Sequence, residues 1–322
     1  MHSTKTELTQ FAKDVITGLS KVPKAIPSKY FYDEEGDRIF QQIMDMPEYY
    51  LTNCEFEILQ QQTKNILQAA KVLKEPFNLV EFGAGDGLKT KLLLNYLVDH
   101  QADFTYHPVD ISASILEELK KSLGESIPSL EVDPMNMDYF TALHAMKSLN
   151  ERRTLVLFLG SNIGNFHLDE AAVFLGKLAA ESKDGDMLLL GVDLKKDPKI
   201  ILDAYDDPHL ITAAFNLNLL SRMNRELEAD FNVEDFNHHT LYEEKTGEVL
   251  SYLISIKEQS VNLASQNKTI HFNENEMIHT EISKKYSLEE LDSLAAHLDF
   301  EVIYHFLDSK EYFTDTLWRI NK

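Results

Sequence analysis

Residues 78–90 read NLVEFGAGDGLKT and decide the fold. A short apolar run is followed by Gly83, Gly85 and Gly87, and then by the periodic run KTKLLLNYL from residue 89. The pattern predicts a strand, a tight turn and a helix, because glycine permits positive φ and the periodic residues fit one helix face. N–H groups at the start of such a helix bind polar ligands. A plain strand-to-helix turn needs one glycine, so three favour a cofactor site over that simpler alternative.

The spacing of the glycines distinguishes between cofactors. A dinucleotide fingerprint has the form G-x-G-x-x-G, whereas here the third glycine comes one position early. The form EFGAGDG looks like the first motif of the S-adenosylmethionine (SAM) methyltransferases, whose cofactor carries no pyrophosphate. The next predicted strand ends in Asp110, 27 residues after Gly83, where a ribose diol needs a carboxylate acceptor. A solvated acid at a strand end is the alternative for Asp110.

Composition limits the partners and the setting of this chain. Its 322 residues are long enough for a large core and for more than one domain. With 53 acidic and 31 basic residues the net charge is −22, which repels nucleic acid and anionic membrane surfaces. The single cysteine, Cys54, excludes an internal disulfide and is read as a small hydrophobe. We expect a soluble cytoplasmic protein with a small-molecule substrate and no obligate protein partner.

The order of elements predicts an α/β fold. Strands are predicted at 78–82, 103–109, 129–133, 153–159 and 186–192, with helices between them. This alternation indicates a doubly wound parallel sheet, which binds ligands beyond the carboxyl ends of its strands. A final set of elements is predicted as a helix at 287–298 and strands at 300–306 and 312–320, and the two strands would complete a seven-stranded sheet as a hairpin.

Two further segments fall outside this rhythm. A helix is predicted at 5–20, and residues 198–285 are predicted as an inserted subdomain with a helix at 211–227 and strands at 248–256 and 267–273. Tyrosines cluster near Tyr32 and Tyr49, where rings with hydroxyls suit a lid over a small ligand. Ordinary packing against the main domain is the alternative.

Polar residues follow two strands of the predicted sheet. Asp138 and Tyr139 come after the third strand, where a carboxylate and a ring suit an adenine, although Asp138 also fits a helix N-cap. Asn165 lies in the segment GSNIGN after the fourth strand. Its amide both donates and accepts hydrogen bonds, which favours a substrate contact over an Asx turn. No metal site is predicted, because the spacing H-x-x-x-H is absent from the sequence.

Several stretches together resemble one family, the L-histidine Nα-methyltransferases of ergothioneine biosynthesis, which use SAM to trimethylate histidine to hercynine. The matching stretches are YFYD at 30–33, PEYY at 47–50, EFEIL at 55–59, FLGSNIGN at 158–165, GVDL at 191–194, AYDD at 204–207, FN at 215–216, NRELEADF at 224–231, EM at 276–277 and TEIS at 280–283.

The resemblance implies a Rossmann-like SAM methyltransferase domain with a seven-stranded, mostly parallel sheet, and a mixed α+β substrate domain. The substrate-binding domain would comprise 1–60 and 198–285, and the methyltransferase domain 61–197 and 286–322. The resemblance further implies a set of SAM contacts: Tyr32, Gly83, Lys89, Asp110, Asp138 and Tyr139.

The resemblance also implies the substrate contacts. Tyr49, Asn165 and Tyr205 would hold the carboxylate and α-amine of the amino acid, with Tyr49 and Asn165 acting at the reacting amine. Glu281 and Ser283 would hold the imidazole, since a carboxylate and a hydroxyl can bracket both ring nitrogens.

The chain departs from the family pattern at a few positions. Asn162 replaces a usual threonine, and Ser251 takes a pocket-wall position where methionine is common. The expected activity is methyl transfer from SAM to the α-amine of free histidine. Two alternatives are the same transfer to another amino acid or aromatic amine, and SAM binding without catalysis.

Overall fold

The structure is a computed structural model that describes residues 9–149 and 152–322. Its α-helices are α1 (Gln10–Leu19), α2 (Glu34–Met44), α3 (Tyr50–Ala70), α4 (Thr90–Asp99), α5 (Ala113–Ser126), α6 (Tyr139–Ala145), α7 (Leu168–Glu181), α8 (Pro198–Tyr205), α9 (Ile211–Leu227) and α10 (Leu288–Ala296). Its strands are β1 (Lys24–Ala25), β2 (Phe77–Phe82), β3 (Phe104–Asp110), β4 (Met135–Asn136), β5 (Arg153–Phe158), β6 (Met187–Asp193), β7 (Phe236–Glu243), β8 (Glu248–Ser255), β9 (Gln259–Leu263), β10 (Lys268–Phe272), β11 (Met277–Lys284), β12 (Phe300–Leu307) and β13 (Phe313–Ile320).

The chain divides into two compact units. Unit 1 comprises the chain up to Tyr50 together with Lys196–Ser283, and unit 2 comprises Leu51–Lys195 together with Lys284–Lys322. The boundary expected at residue 60 lies inside α3, a continuous helix of 21 residues that belongs almost entirely to unit 2. The predicted helix at 5–20 appears as α1, and residues 5–8 lie outside the described residues.

Unit 2 contains a seven-stranded sheet in the order β12-β13-β6-β5-β2-β3-β4. The strands from β2 to β6 pair in parallel, and β13 runs antiparallel to both β6 and β12. Every residue of β2 and β6 is buried, as expected for parallel strands covered on both faces. The predicted α/β fold, with a seven-stranded and mostly parallel sheet completed by a late hairpin, is confirmed.

One predicted strand of this sheet is wrong. Residues 129–133 form only an isolated bridge, between Val132 and Tyr106, and the strand proper is the two-residue β4. The physical reason is Pro134, which has no N–H to donate to the neighbouring strand and interrupts the ladder between the bridge and β4.

Unit 1 is a mixed α+β arrangement with its own core. A four-stranded sheet has the order β1-β11-β8-β7, and β9 and β10 form a separate antiparallel pair. Apolar residues of α1, α2, α9 and these strands pack in one cluster that includes Val15, Leu220, Leu253 and Ile278. The predicted helix at 211–227 is observed as α9. Among the described residues, no helix has the length and apolar character to span a membrane.

Candidate active site

The glycine turn of unit 2 lies directly after β2. Gly83 has φ +70°, and a Cβ there would lie 2.7 Å from the Tyr139 hydroxyl and 2.9 Å from the Asn162 amide nitrogen. Two polar groups therefore reach over the backbone of Gly83 at a distance that no side chain on this residue would permit. A Cβ at Gly85 would meet no atom within 4 Å, so the turn is open on that side.

Asp110 lies at the end of β3 and is joined to the glycine turn. Its carboxylate accepts hydrogen bonds from the backbone N–H of Gly85, at 3.4 Å, and of Ser112, at 2.9 Å. Burial raises the pKa of Asp110, and these backbone hydrogen bonds act in the opposite direction. The sequence prediction of a carboxylate beside the turn is thus consistent with where the structure places Asp110.

Asp138 and Tyr139 stand at the start of α6. Asp138 is the N-cap: its carboxylate accepts from the N–H groups of Phe140 and Thr141 and from the Thr141 hydroxyl. These bonds, led by the Thr141 hydroxyl, lower the pKa of Asp138, so the N-cap alternative describes its local role. The Tyr139 ring packs edge-on against Phe82 and Phe158, at centroid distances of 5.8 and 5.4 Å. Its hydroxyl is thereby fixed above Gly83.

Lys89, the N-cap residue of α4, forms an ion pair with Glu55 of α3. Burial by itself would lower the pKa of Lys89, but the charge and hydrogen bond of Glu55 raise it overall, so the side chain is a stable cation. Glu55 also accepts a hydrogen bond from the backbone N–H of Gly160, at 2.6 Å. The motif EFEIL was part of the family resemblance, but no role for Glu55 was predicted from it.

Asn165 ends a short 3-10 helix, Asn162–Asn165, that follows β5. Its side chain is exposed. The neighbouring Asn162 reaches back over Gly83, which makes this unpredicted residue part of the glycine-turn surroundings. The buried Ser161 anchors this segment to the end of β6, because its hydroxyl accepts a hydrogen bond from the Asp193 N–H at 3.1 Å.

These residues of unit 2 fit SAM. The open turn at Gly85 leaves room for a ligand, and Asp110 supplies the carboxylate that a ribose diol needs. Lys89 supplies a half-buried positive charge and Tyr139 supplies a hydroxyl at the turn. Within residues 9–149 and 152–322, no group of three or more His, Cys, Asp or Glu side chains is arranged to hold a metal ion.

In unit 1, two of the predicted substrate residues meet directly. The hydroxyls of Tyr205, on α8, and Ser283, on β11, are 2.8 Å apart. Both side chains are buried. The Tyr205 carbonyl also accepts from the Thr240 hydroxyl of β7 at 2.9 Å, which fixes the end of α8 against the sheet. The two hydroxyls can exchange donor and acceptor roles with a ligand.

Glu281 lies two residues before Ser283 on the same strand. Residues two apart on a strand point to the same side, so the carboxylate and the hydroxyl leave β11 together. The Ser251 hydroxyl of β8 donates to Glu281 Oε2 at 3.2 Å. Ser251, noted in the sequence as a departure from the family pattern, therefore contacts Glu281, the residue predicted to bind the imidazole.

Aromatic rings connect the remaining predicted residues of unit 1. Tyr49 lies edge-on to Tyr205 at 6.2 Å and close to Phe40 at 6.4 Å. Tyr32 in turn lies 5.6 Å from Phe40 and 5.9 Å from Phe215. Tyr32 and Tyr49, 17 residues apart in sequence, thus belong to one aromatic group. The neighbouring Tyr30 and Phe31 lie in the core, as the packing alternative predicts.

The sequence analysis gave no role to several buried acids, and three of them are Glu55, Glu81 and Asp315. Burial raises the pKa of Glu81 to about 7, although the hydroxyls of Thr90 and Tyr106 donate to it. Asp315 lies in the middle of β13 and is fully buried. One signal was available: in the segment FTDTLWRI, an acid interrupts residues typical of a buried strand.

Comparison with known proteins gives concordant matches. The family model described as "Histidine-specific methyltransferase, SAM-dependent" matches residues 11–320. A histidine N-alpha-methyltransferase of Mycolicibacterium smegmatis is 37% identical over 277 residues, which cover 86% of this chain and 84% of that protein. Another, of Mycobacterium tuberculosis, is 36% identical over 274 residues, covering 85% and 84%. Ergothioneine biosynthesis protein 1 of Schizosaccharomyces pombe is 29% identical over 287 residues, covering 86% of this chain and 36% of that protein.

The match extends over nearly the whole chain and includes both compact units. It confirms the family resemblance inferred from the sequence motifs, and with it the prediction that the protein is an enzyme that uses SAM. The chain therefore belongs to the family of histidine-specific, SAM-dependent methyltransferases.

Proposed function

We propose that this enzyme transfers methyl groups from SAM to the α-amino group of free L-histidine and repeats the transfer until the amine is quaternary, giving hercynine. One observation carries the proposal. In unit 1 the Tyr205 and Ser283 hydroxyls form a hydrogen bond, and the Glu281 carboxylate leaves β11 on the same side as Ser283. The two mycobacterial relatives, named as histidine N-alpha-methyltransferases, support the same reaction.

The pair Glu281 and Ser283 suits an imidazole ring. A neutral imidazole has one N–H donor and one nitrogen acceptor. Glu281 accepts from the N–H, and the Ser283 hydroxyl donates to the other nitrogen. The hydrogen bond from Ser251 restricts the orientation of the Glu281 carboxylate, so the ring is received in one orientation.

Tyr49, Tyr205 and Asn165 are assigned to the carboxylate and amine of the substrate. Hydroxyl and amide groups can donate to a carboxylate and accept from an amine. Tyr49 and Asn165 orient the amine lone pair for in-line transfer, and aligning two reactants in this way is a large part of the rate enhancement in such reactions. No covalent intermediate with the protein is required.

Tyr32, Gly83, Lys89, Asp110, Asp138 and Tyr139 are assigned to the cofactor. Bound SAM supplies a methyl group that is already electrophilic because it is carried on a sulfonium. The task of the protein is therefore to hold and align the reactants and to exclude water. The open side of the turn at Gly85 leaves space for the cofactor, and Asp110 is assigned to accept from its ribose.

The first experiment is mass spectrometry of L-histidine after incubation with the purified protein and SAM. We expect mono-, di- and trimethylated products, and none from imidazolepropionate, which has the ring but lacks the α-amine. A panel that includes tryptophan and tyrosine tests the alternative substrates. These are considered because Ser251 departs from the family pattern and contacts Glu281. Methylation of a panel member but not of histidine would reject the substrate and keep the reaction.

A variant pair tests the assignment of Glu281. Glu281→Ala should raise the KM for histidine by roughly tenfold or more, because the ring N–H loses its charged acceptor. The affinity for SAM should stay within about twofold. Glu274→Ala, at an exposed position of the same unit, is the matched control. Unchanged histidine kinetics in Glu281→Ala would remove Glu281 from the substrate site.

We also propose that the enzyme acts on its small-molecule substrate in the cytoplasm, without a nucleic-acid or obligate protein partner. The strongly acidic composition and the single Cys54 support this setting. Fractionation of cells that express a tagged chain, followed by size-exclusion chromatography, tests both statements.

A further inference from the structure

Three buried acids lie around Lys89 in unit 2, and the proposed function gives these acids no role. Glu55, Glu81 and Asp315 are each at most 3% exposed, and Lys89 is the cation among them. We refer to these four residues as the acid cluster. They come from α3, from β2, from β13 and from the start of α4, so the tertiary fold brings them together.

Glu55 and Asp315 face one another across Gly191. Asp315 is paired with Gly191 in the β13–β6 ladder. A Cβ on Gly191 would lie 2.1 Å from Glu55 Oε1 and 3.2 Å from Asp315 Oδ1. Glycine is needed at this position of β6 because the Glu55 carboxylate crosses directly over the strand.

Asp315 has an unusual environment for a carboxylate. Among the residues that the structure describes, no N–H or O–H group donates a hydrogen bond to either of its oxygens. The hydrogen-bonding side chain that it meets is Glu55, which is itself a carboxylate. Two carboxyl groups can form a hydrogen bond only when one of them carries a proton.

The charge balance leads to the same requirement. Glu55 and Asp315 are both fully enclosed, and Lys89 offers a single positive charge to the two. Two carboxylates in one buried site do not both ionise. Burial and the negative charge of Glu55 place the pKa of Asp315 well above its usual range. Glu55 has the ion pair with Lys89 and the hydrogen bond from Gly160, so Asp315 is the member that holds the proton.

We propose that Asp315 keeps its proton and donates a hydrogen bond through it to Glu55, and that Glu55, fixed in this way, is a positioning residue for the cofactor site. Glu55 acts through two groups. Its Oε2 binds the Lys89 ammonium and its Oε1 accepts from the Gly160 N–H at 2.6 Å. Gly160 leads into the segment that carries Asn162, whose amide reaches over Gly83. The Glu55 carboxylate therefore fixes the position of the Lys89 ammonium and of the turn after β5.

The inference rests on the proposed function to the extent that Lys89 is assigned there to SAM. Its test is therefore the binding of SAM, measured by isothermal titration calorimetry in the absence of histidine. The proteins are the wild type, Glu55→Gln, Asp315→Asn and the control Glu57→Gln. Glu57 lies on the same helix, and its carboxylate accepts from the backbone N–H of Ser309 outside the acid cluster.

The three variants have different expected results. Glu55→Gln should weaken SAM binding by at least about tenfold, because a neutral amide leaves the half-buried Lys89 without its ion-pair partner. Asp315→Asn should bind SAM within about threefold of the wild type, because its amide N–H can donate to Glu55 in place of the carboxyl O–H. Glu57→Gln should bind as the wild type does. Wild-type affinity in Glu55→Gln, or a loss in Asp315→Asn as large as that in Glu55→Gln, would overturn the inference.

A second measurement applies even if Glu55→Gln does not fold. The charged groups that face Asp315 are Glu55, Lys89 and, through Lys89, Glu81. A raised folded-state pKa makes the stability contributed by Asp315 decline as pH rises. The unfolding free energy of Asp315→Asn should therefore fall less than that of the wild type as pH rises above 3.8, the ordinary value for an aspartate. Parallel curves would show that Asp315 holds no proton.

The two proposals fail in distinguishable ways. Absence of methylated histidine, with SAM binding lost in Glu55→Gln and kept in Asp315→Asn, would reject the substrate and leave the inference standing. Methylated histidine together with unchanged SAM binding in Glu55→Gln would reject the inference and leave the function standing. A wild type that binds no SAM would overturn both.

Discussion

The two units hold their polar residues in opposite ways. In unit 2 the acid cluster consists of three ionisable acids that are enclosed by protein and the half-buried Lys89, and the adjoining turn is built from backbone at Gly83 and Gly85. In unit 1 the polar group consists of the hydroxyls of Tyr205, Ser283 and Ser251 around one half-buried carboxylate, Glu281.

This difference has consequences for what each set of residues tolerates. A buried acid is tolerated only while it is paired with a cation or keeps its proton. A substitution at one residue of the acid cluster therefore affects the other three. A hydroxyl exchanges donor and acceptor roles and adapts to a changed neighbour. We therefore expect substitutions in unit 2 to change stability, pH dependence and cofactor affinity together. Substitutions in unit 1 should change substrate kinetics with a small effect on stability.

The largest expected effect is that of Gly83→Ala. Alanine at this position would have to adopt the left-handed backbone conformation of Gly83, which alanine avoids. Its Cβ would also collide with the Tyr139 hydroxyl and the Asn162 amide. Strain and overpacking together should cost about 2–4 kcal/mol of stability. The affinity for SAM should fall by about 10- to 100-fold. Urea unfolding and calorimetric titration with SAM measure the two effects.

Gly124→Ala is the matched control for that substitution. Gly124 lies in α5, and a Cβ there would meet no atom within 4 Å. Alanine is preferred to glycine within a helix, so this variant should gain about 0.5–1 kcal/mol and bind SAM normally. If Gly83→Ala bound SAM as tightly as Gly124→Ala, SAM binding would not depend on the backbone conformation of the glycine turn. The contrast drawn between the two units would then be wrong.

The elements that were predicted correctly are those with a local signal. The run from β2 through the glycine turn to α4 is marked by its apolar strand and its glycines. The α9 helix matches its predicted bounds because its apolar residues recur at helical spacing. The strand predicted at 129–133 was wrong because the apolar pattern outweighed Pro134, whose missing N–H decides the pairing there.

The candidate site was predictable only in part. Gly83, Asp110 and Tyr139 follow strands of one sheet, so their meeting could be inferred from topology. Glu55 and Asp315 are 260 residues apart, on a helix and on a strand, and no periodicity links them. Tyr205 and Ser283 were assigned by resemblance, and their 2.8 Å contact depends on how α8 meets β11. Contacts of this kind follow from tertiary packing, which local patterns do not encode.

A second prediction concerns the pH dependence of unit 2. Burial raises the pKa of Glu81 from the ordinary 4.5 to about 7. Its contribution to stability is therefore complete below pH 4.5 and is lost as pH rises through about 7. Glu81→Gln carries no titrating group, so between pH 5 and pH 7 it should gain on the order of 2 kcal/mol relative to the wild type.

Urea unfolding at half-unit steps of pH measures this relative gain. The control is Glu125→Gln at an exposed position of α5, whose unfolding curve should run parallel to that of the wild type. A parallel curve for Glu81→Gln as well would mean that Glu81 is ionised throughout this range. The acid cluster would then resemble an ordinary set of ion pairs, and the contrast with the hydroxyls of unit 1 would disappear.

The smallest expected effect is that of removing one hydroxyl in unit 1. Tyr205→Phe loses the hydrogen bond to Ser283, which should cost about 1 kcal/mol and leave SAM affinity unchanged. Ser283→Ala loses the same bond, so a double-mutant cycle on unfolding should give a coupling energy of about 0.5–1 kcal/mol. The KM for histidine should rise in both variants, because Tyr205→Phe loses a contact to the carboxylate and amine of the substrate and Ser283→Ala loses the donor to the ring. Cofactor affinity that fell with either substitution would show that the hydroxyls of unit 1 are coupled to cofactor binding, contrary to the tolerance expected of them.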